Sequence, residues 1–97
     1  MSEIVVRCEA APDGWRCGVT VRDAGSASTH DVTVSADDAT DLAAATDPSH
    51  VQRLIEETFD FLLEREPKES ILRSFDLSVV SRYFPEFEHE IRSRLAP

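Results

Sequence analysis

Apolar and polar positions alternate along three segments near the start of the chain, and this alternation predicts three β-strands. The strands are expected over residues 3–10, 15–21 and 29–35. Turn-forming residue types separate them at 11–14 (Ala-Pro-Asp-Gly) and 23–28 (Asp-Ala-Gly-Ser-Ala-Ser). Because both connections are short, the strands should form an antiparallel meander.

The apolar positions also predict how the first two strands are aligned. Placing Ala10 opposite Trp15 puts every apolar pair on one face: Cys8 with Cys17, Val6 with Val19, and Ile4 with Val21. A slip of one residue would send the two apolar sets to opposite faces of the sheet. The pattern therefore predicts one register and one buried face.

A change of period follows the strands and predicts a central helix over residues 47–66. Asp47 is a suitable N-cap, Pro48 suits the first helical position, and Pro67 ends the segment. Apolar residues recur at three- and four-residue steps along one face: Val51, Leu54, Ile55, Thr58 and Leu62. Phe59, Phe61 and Leu63 widen that face. A face of this width should contact both the sheet and the later helices.

Shorter helices are expected on either side of the central one. Ser35 with Asp38 approximates a capping box and predicts a short helix to about Ala45. Asp76 is a candidate N-cap for a helix that Pro85 ends. A last helix then carries an apolar row: Phe84, Phe87, Ile91 and Leu95. The predicted fold is one α+β domain over 1–97, with a three-stranded antiparallel meander at 3–35 and three to four helices at 36–96 covering one face.

Net charge narrows the range of partners. The chain carries a formal charge of −9, with three basic and nine acidic side chains in 1–48 and seven basic and ten acidic in 49–97. Neither half offers the positive field that attracts nucleic acids or anionic membranes. We therefore expect no nucleic-acid and no membrane partner. The acidity predicts solubility or, as a sharper hypothesis, attraction of a basic protein.

The start of the chain and its apolar content predict a cytoplasmic protein. No apolar run approaches the ~18 residues of a membrane span, and the opening Met-Ser-Glu is unlike a signal peptide. Cytoplasmic thiols stay reduced, and direct cross-strand bridges require a specific geometry. Cys8 and Cys17 are therefore expected to face each other as two free thiols.

The polar motifs predict no cofactor and no catalytic site. Glu86 and His89 have the spacing of a di-iron half-site, but the chain has no second copy, so no metal is expected. His30 lies on an apolar strand face, where a hydrogen-bonded structural histidine is the expected interpretation. Three glycines supply no phosphate-binding loop, and no nucleophile motif occurs.

The segment from Glu69 to Leu77 (Glu-Ser-Ile-Leu-Arg-Ser-Phe-Asp-Leu), continuing to Arg-Tyr-Phe-Pro-Glu at 82–86, resembles a family of small uncharacterised bacterial proteins. The resemblance covers the C-terminal third and implies no activity. The predicted meander followed by a helix is also similar in topology to the front of HicB-type antitoxins. A DNA-binding tail of the kind those antitoxins carry is not found here.

These observations favour a non-catalytic interaction protein that self-associates. The apolar row of the last helix predicts a homodimer interface with this residue set: Arg82, Tyr83, Phe84, Phe87 and Ile91. One alternative is an antitoxin-like or inhibitor-like acidic protein that binds a basic protein. The other is an enzyme without a recognisable motif.

Overall fold

The computed structural model describes residues 2–44 and 47–96, and these form a mixed sheet with four α-helices. The strands are β1 (Glu3–Ala11), β2 (Gly14–Asp23), β3 (Ser26–Ser35) and β4 (Ser74–Asp76). The helices are α1 (Ala36–Ala43), α2 (Pro48–Leu63), α3 (Ser78–Tyr83) and α4 (Phe87–Leu95), with a 3-10 turn at Lys68–Ser70. The α+β class expected from the sequence is confirmed.

The sheet has four strands in the order β1-β2-β3-β4, one more than the predicted meander. The first three are antiparallel in the predicted register, with Ala10 opposite Trp15. The fourth is parallel to β3 and places Phe75 opposite Val32. Two backbone bonds from the flanking residues extend the ladder: the Asp31 N–H donates to the Arg73 carbonyl at 2.7 Å, and the Leu77 N–H donates to the Thr33 carbonyl at 2.8 Å.

Cys8 and Cys17 face each other as predicted, but they form a disulfide, so the expectation of two free thiols is wrong for this structure. The β1–β2 turn closes at the pair Ala11–Gly14. Because hydrogen-bonded and non-hydrogen-bonded pairs alternate from such a turn, Cys8 and Cys17 form a non-hydrogen-bonded pair, where side chains approach most closely. Their Cα atoms are 4.1 Å apart, as this kind of pair requires.

Gly14 brings the β1–β2 turn into close contact with the backbone at the start of α1. Its φ is +152°, and an added Cβ would lie 2.2 Å from the Val34 carbonyl oxygen. The neighbouring Asp13 carbonyl accepts a hydrogen bond from the Ala36 N–H at 3.1 Å. Only a residue without a side chain fits between this turn and the β3–α1 junction.

Side-chain caps define where α1 and α2 begin. Ser35 Oγ accepts from the Asp38 N–H at 3.0 Å, and Asp47 Oδ1 accepts from the His50 N–H at 3.1 Å. Both are the N-terminal capping positions that the sequence predicts for these two helices. The α2 helix ends at Leu63, three residues before the predicted end. The α1 helix ends at Ala43, and its predicted end at Ala45 lies outside the described residues.

The core lies between the inner sheet face, α2 and α4. The α2 residues predicted to be apolar and inward are buried, apart from the half-buried Leu63. Phe61 is at the junction with α4: its ring meets Phe87 at 5.2 Å and Phe84 at 5.7 Å between centroids, both edge-on. The Arg65 guanidinium covers the same ring at 3.6 Å from the centroid.

Phe87 and Ile91 both have 0 % exposed surface, which places them in this core. The apolar row of α4 is therefore covered by α2 of the same chain. Two of the five residues predicted for a dimer interface are thus inaccessible to a partner in this structure.

Candidate functional site

An apolar groove opens between the end of α2, the segment leading into β4, and α3. Its volume is about 450 Å³. We call it the α2–α3 groove, and it is lined by Leu62, Glu66, Ser70, Ile71, Leu72, Phe75, Val79, Val80, Tyr83 and Phe84. Glu66 is its single charged lining residue. A concave, mainly apolar surface of this kind suits contact with an apolar side chain of a partner.

The wall of the groove is held to the sheet by a buried histidine. His30 is 4 % exposed, and its Nδ1 lies 2.7 Å from the Leu72 carbonyl oxygen. A carbonyl only accepts, so Nδ1 donates, and Nε2 then accepts from Ser28 Oγ at 2.8 Å. Both ring nitrogens are satisfied, and the ring packs on Phe59 with centroids 5.3 Å apart. His30 is therefore a structural residue that fixes Leu72 at the groove.

Asp76 fixes the other wall, where β4 passes into α3. Its carboxylate accepts from the Ser78 N–H at 3.1 Å, from Ser78 Oγ at 2.7 Å and from Thr33 Oγ1 at 2.7 Å. Partial burial opposes ionisation of Asp76, but the hydrogen bonds from Ser78 and Thr33 together lower its pKa below the usual value. Asp76 supplies the helix-start contact that the sequence predicts, and it ties α3 to the sheet.

Two large apolar side chains stand exposed at the rim of the groove. Tyr83 is 71 % exposed and Leu72 is 52 % exposed. Arg82 is also exposed, while Phe84 is half-buried against Phe61. Of the five predicted interface residues, Tyr83 and Phe84 line the groove and Arg82 adjoins it. Phe87 and Ile91 do not contribute to this surface.

Leu72 is not among the interface residues predicted from the sequence, although its position next to Ile71 indicates that it faces outward. The backbone at Ile71 is extended, with φ −76° and ψ 133°, so the side chains of Ile71 and Leu72 point to opposite sides. Ile71 is buried, which requires Leu72 to face outward. An adjacent pair of large apolar residues in an extended segment thus places one residue in the core and the other at the surface.

Charges are distributed unevenly around the molecule. Residues 64–86, which supply all of the groove except Leu62, carry four basic and five acidic side chains. This segment has a net charge of −1, and the rest of the chain carries −8 of the total −9. Two copies that meet through this segment therefore bring a charge of only −1 each to the contact, out of the −9 that each chain carries.

Carboxylates lie near one another on the side of the molecule formed by α1 and α4. Burial raises the pKa of Asp38, and the negative charges of Asp76, Glu88 and Asp41 raise it further. A hydrogen bond with the Ser35 side chain opposes this shift only in part. Arg92 compensates part of the repulsion between these carboxylates, since its guanidinium lies 3.0 Å from the Asp41 carboxylate and 3.8 Å from that of Glu88. A cationic partner would relieve the repulsion that remains at Asp38.

The motifs considered for metal binding do not come together in the structure. Glu86 lies near Arg65, with Oε2 4.0 Å from Nε, and His89 is exposed. Within residues 2–44 and 47–96, no group of three or more His, Cys, Asp or Glu side chains is placed to hold a metal ion. In the same part of the chain, no helix has the length and apolar character needed to cross a membrane.

Comparison with known protein families, with curated proteins and with solved structures finds no match to this chain. The resemblance of the C-terminal third to small bacterial proteins stays a prediction.

Proposed function

We propose that this chain is a non-catalytic protein-interaction domain that forms a homodimer through the α2–α3 groove. Tyr83 carries the proposal, because a large aromatic side chain that is 71 % exposed lies directly beside an apolar groove. In a two-fold dimer one patch serves both subunits. Each Tyr83 would enter the groove of the other copy, and Leu72 would be covered in the same contact.

The chemistry of the patch supports self-association over other uses. Tyrosine is among the residues that most often dominate interface energy, since its ring is apolar and its hydroxyl remains hydrogen-bonded. The near-balanced charge of residues 64–86 lets two copies approach there despite a net charge of −9 on each. Arg82 beside Tyr83 would lie at the polar rim, where contacts contribute little affinity.

Sedimentation velocity over a range of concentrations tests this proposal. Tyr83→Ser should halve the assembled mass without unfolding the chain, because the side chain is mostly exposed. Tyr83→Phe keeps the ring and should leave the mass unchanged, which makes it the matched control. An assembled mass that Tyr83→Ser does not alter, or a wild type that is monomeric at high micromolar concentration, would refute it.

A second candidate function is binding of a basic protein, in the manner of an antitoxin or inhibitor. The mutual repulsion of carboxylates around Asp38 favours it. Titration with an oligolysine peptide should show binding that salt weakens and that Asp38→Asn with Asp41→Asn reduces. Glu56→Gln with Glu57→Gln removes the same charge from α2 and is the matched control. Equal losses in the two double variants would indicate only a general attraction to an acidic protein.

A further inference from the structure

The β1 strand forms one end of the sheet and presents a long backbone edge. It spans nine residues. Hydrogen-bonded and non-hydrogen-bonded residue pairs alternate from the closing pair of the β1–β2 turn, and the backbone groups of the non-hydrogen-bonded residues face away from β2. The outward N–H and C=O groups belong to Ile4, Val6, Cys8 and Ala10. The 4.1 Å Cα separation of Cys8 and Cys17 agrees with this assignment.

One hydrogen bond reaches this edge in the part of the chain that the structure describes. Gln52 Nε2 on α2 donates to the Val6 carbonyl at 3.2 Å. Such a carbonyl has a second lone pair, and the other outward groups of β1 remain available for pairing. An edge with several unpaired donors and acceptors is a template for another strand.

We propose that β1 pairs antiparallel with β1 of a second copy, about a two-fold axis that passes beside Val5. The side chains of Glu3, Val5 and Arg7 share the outer face of the sheet. About this axis, Glu3 of each copy lies opposite Arg7 of the other, which gives two opposite-charge pairs. Val5 of one copy lies opposite Val5 of the other. Opposite charges and β-branched residues directly across a pair of strands both stabilise the pairing.

Burial and hydrogen bonding fit the same axis. Val5 is 47 % exposed on the uncovered face, and the second copy's Val5 would cover it. Ile4 would lie opposite Val6 as a hydrogen-bonded pair on the inner face, using the outward groups identified above. Arg22 of the same chain already holds the Glu3 carboxylate at 3.3 Å, so that carboxylate would bridge two guanidinium groups.

Other registers of the same strand are less favourable. An axis at Arg7 would place two guanidinium groups opposite each other, and an axis at Val6 would place Glu3 opposite Glu9. An axis at Cys8 pairs Arg7 with Glu9, but it sets Glu3 opposite Asp13. The Val5 register is the one among these four that leaves no like charges facing each other.

This surface is separate from the α2–α3 groove, because β1 and β4 lie at opposite ends of the sheet. The inference therefore goes beyond the proposed function and does not depend on it. Two independent two-fold contacts on one chain build a dimer of dimers when the assembly closes.

Oxidative cross-linking tests the β1 contact and its register. In the new ladder Val5 would form a non-hydrogen-bonded pair with Cα atoms about 4.5 Å apart, within the range that a disulfide spans. Val5→Cys should therefore form a covalent dimer at least about tenfold faster than Thr20→Cys, because only the paired thiols have a high effective concentration. Thr20 is the matched control, since it lies opposite Val5 on β2 and away from the edge. Equal rates would overturn the proposal.

Charge exchange provides an independent test. Arg7→Glu should weaken the β1 contact on the order of tenfold, because two opposite-charge pairs are reversed together. Adding Glu3→Arg together with Arg22→Glu should restore the contact at the net charge of the single variant, because Arg22 lies 3.3 Å from Glu3 and would otherwise face a like charge there. Arg16→Glu changes the net charge equally from β2 and should have little effect. Failure of the triple variant to recover would overturn the proposed register.

The two contacts fail in distinguishable ways when their variants are combined. If both exist, the wild type is a tetramer, Tyr83→Ser and Arg7→Glu each give dimers, and the combined variant is a monomer. If the groove proposal alone is wrong, Tyr83→Ser changes nothing while Arg7→Glu gives monomer. If Arg7→Glu leaves the assembled mass unchanged at every concentration, the β1 proposal is wrong.

Discussion

Replacement of Phe87 by alanine decides between a core role and an interface role for α4. Phe87 is fully buried, and its ring meets that of Phe61 edge-on at 5.2 Å. Truncating a buried phenylalanine costs about 3–5 kcal/mol, through lost transfer energy and the cavity that remains. A chain of this length is stabilised by about 5–15 kcal/mol in total. Phe87→Ala should therefore remove a fifth or more of the stability.

The measurement is urea unfolding of monomeric protein, so that assembly does not contribute to the result. Tyr83→Ser and Arg7→Glu together provide a suitable background, because association makes the apparent stability depend on concentration. A loss of about 4 kcal/mol corresponds to a fall in the melting temperature of about 20 °C for a chain of this size. Leu72→Ala is the matched control. Its side chain is half exposed, so its truncation should cost well under half as much.

One result would refute this account of α4. If Phe87→Ala loses less than about 1 kcal/mol, a value usual for exposed positions, then α4 does not pack on α2 as described. If the same substitution in the wild-type background converts an assembly into folded monomer, Phe87 belongs to an interface after all. A large loss of stability with unchanged assembly would confirm the core role.

Three further predictions concern the disulfide and the pH dependence that Asp76 and Asp38 confer on stability. Replacing both Cys8 and Cys17 with serine should cost about 2–3 kcal/mol, because the bridge closes a loop with a sequence separation of 9; thiol titration of denatured, unreduced wild type should find none of the two thiols free. Burial opposes ionisation of Asp76, but hydrogen bonding lowers its pKa in the folded chain. The ionised carboxylate therefore contributes stability above the unfolded-state pKa of about 3.9. That contribution is lost as the pH falls through the lower pKa of the folded state. Urea unfolding between neutral pH and pH 3 should show a weaker acid dependence for Asp76→Asn. Burial and neighbouring carboxylates raise the pKa of Asp38, so Asp38→Asn should add stability at neutral pH and lose that advantage in acid; the opposite trend would contradict the repulsion described for this side of the molecule.

Sequence patterns predict the meander well because each of its determinants is local. The alternation of apolar residues allows one register, and the structure confirms it from Ile4 opposite Val21 to Ala10 opposite Trp15. The caps Ser35 and Asp47 also act within three residues of their own position. Features of this kind depend on neighbours along the chain and can be derived from it.

The fourth strand could not be predicted in the same way. It has three residues, too few for an alternating pattern, and it pairs with a strand more than 40 positions earlier. The sequence predicts Asp76 as the N-cap of a helix, and Asp76 does accept a hydrogen bond from the Ser78 N–H in the first turn of α3. Phe75 and Asp76 also extend the sheet, and this pairing depends on where the long connection through α1 and α2 returns the chain.

The burial of the apolar row of α4 within its own chain also depends on the tertiary structure. An apolar row at helical spacing predicts that a helix contacts something, but it does not say whether the partner lies in the same chain. Phe87 and Ile91 meet α2, whereas Tyr83 at the end of α3 remains exposed. Distinguishing the two outcomes requires the position of α4 relative to α2, which no local pattern contains.

The two turns of the meander differ in a way that matters for handling the protein. At Gly14 a side chain would collide with the backbone of the β3–α1 junction, whereas a Cβ at Gly25 in the β2–β3 turn meets no atom within 4 Å. The first turn is therefore closed to substitution, and the second offers room for an inserted sequence. Because Gly25 has a φ of +82°, which disfavours any side chain at that position, an epitope or a reporter domain is best inserted beside Gly25 with the glycine kept. Such an insertion projects into solvent while the strands on either side stay paired.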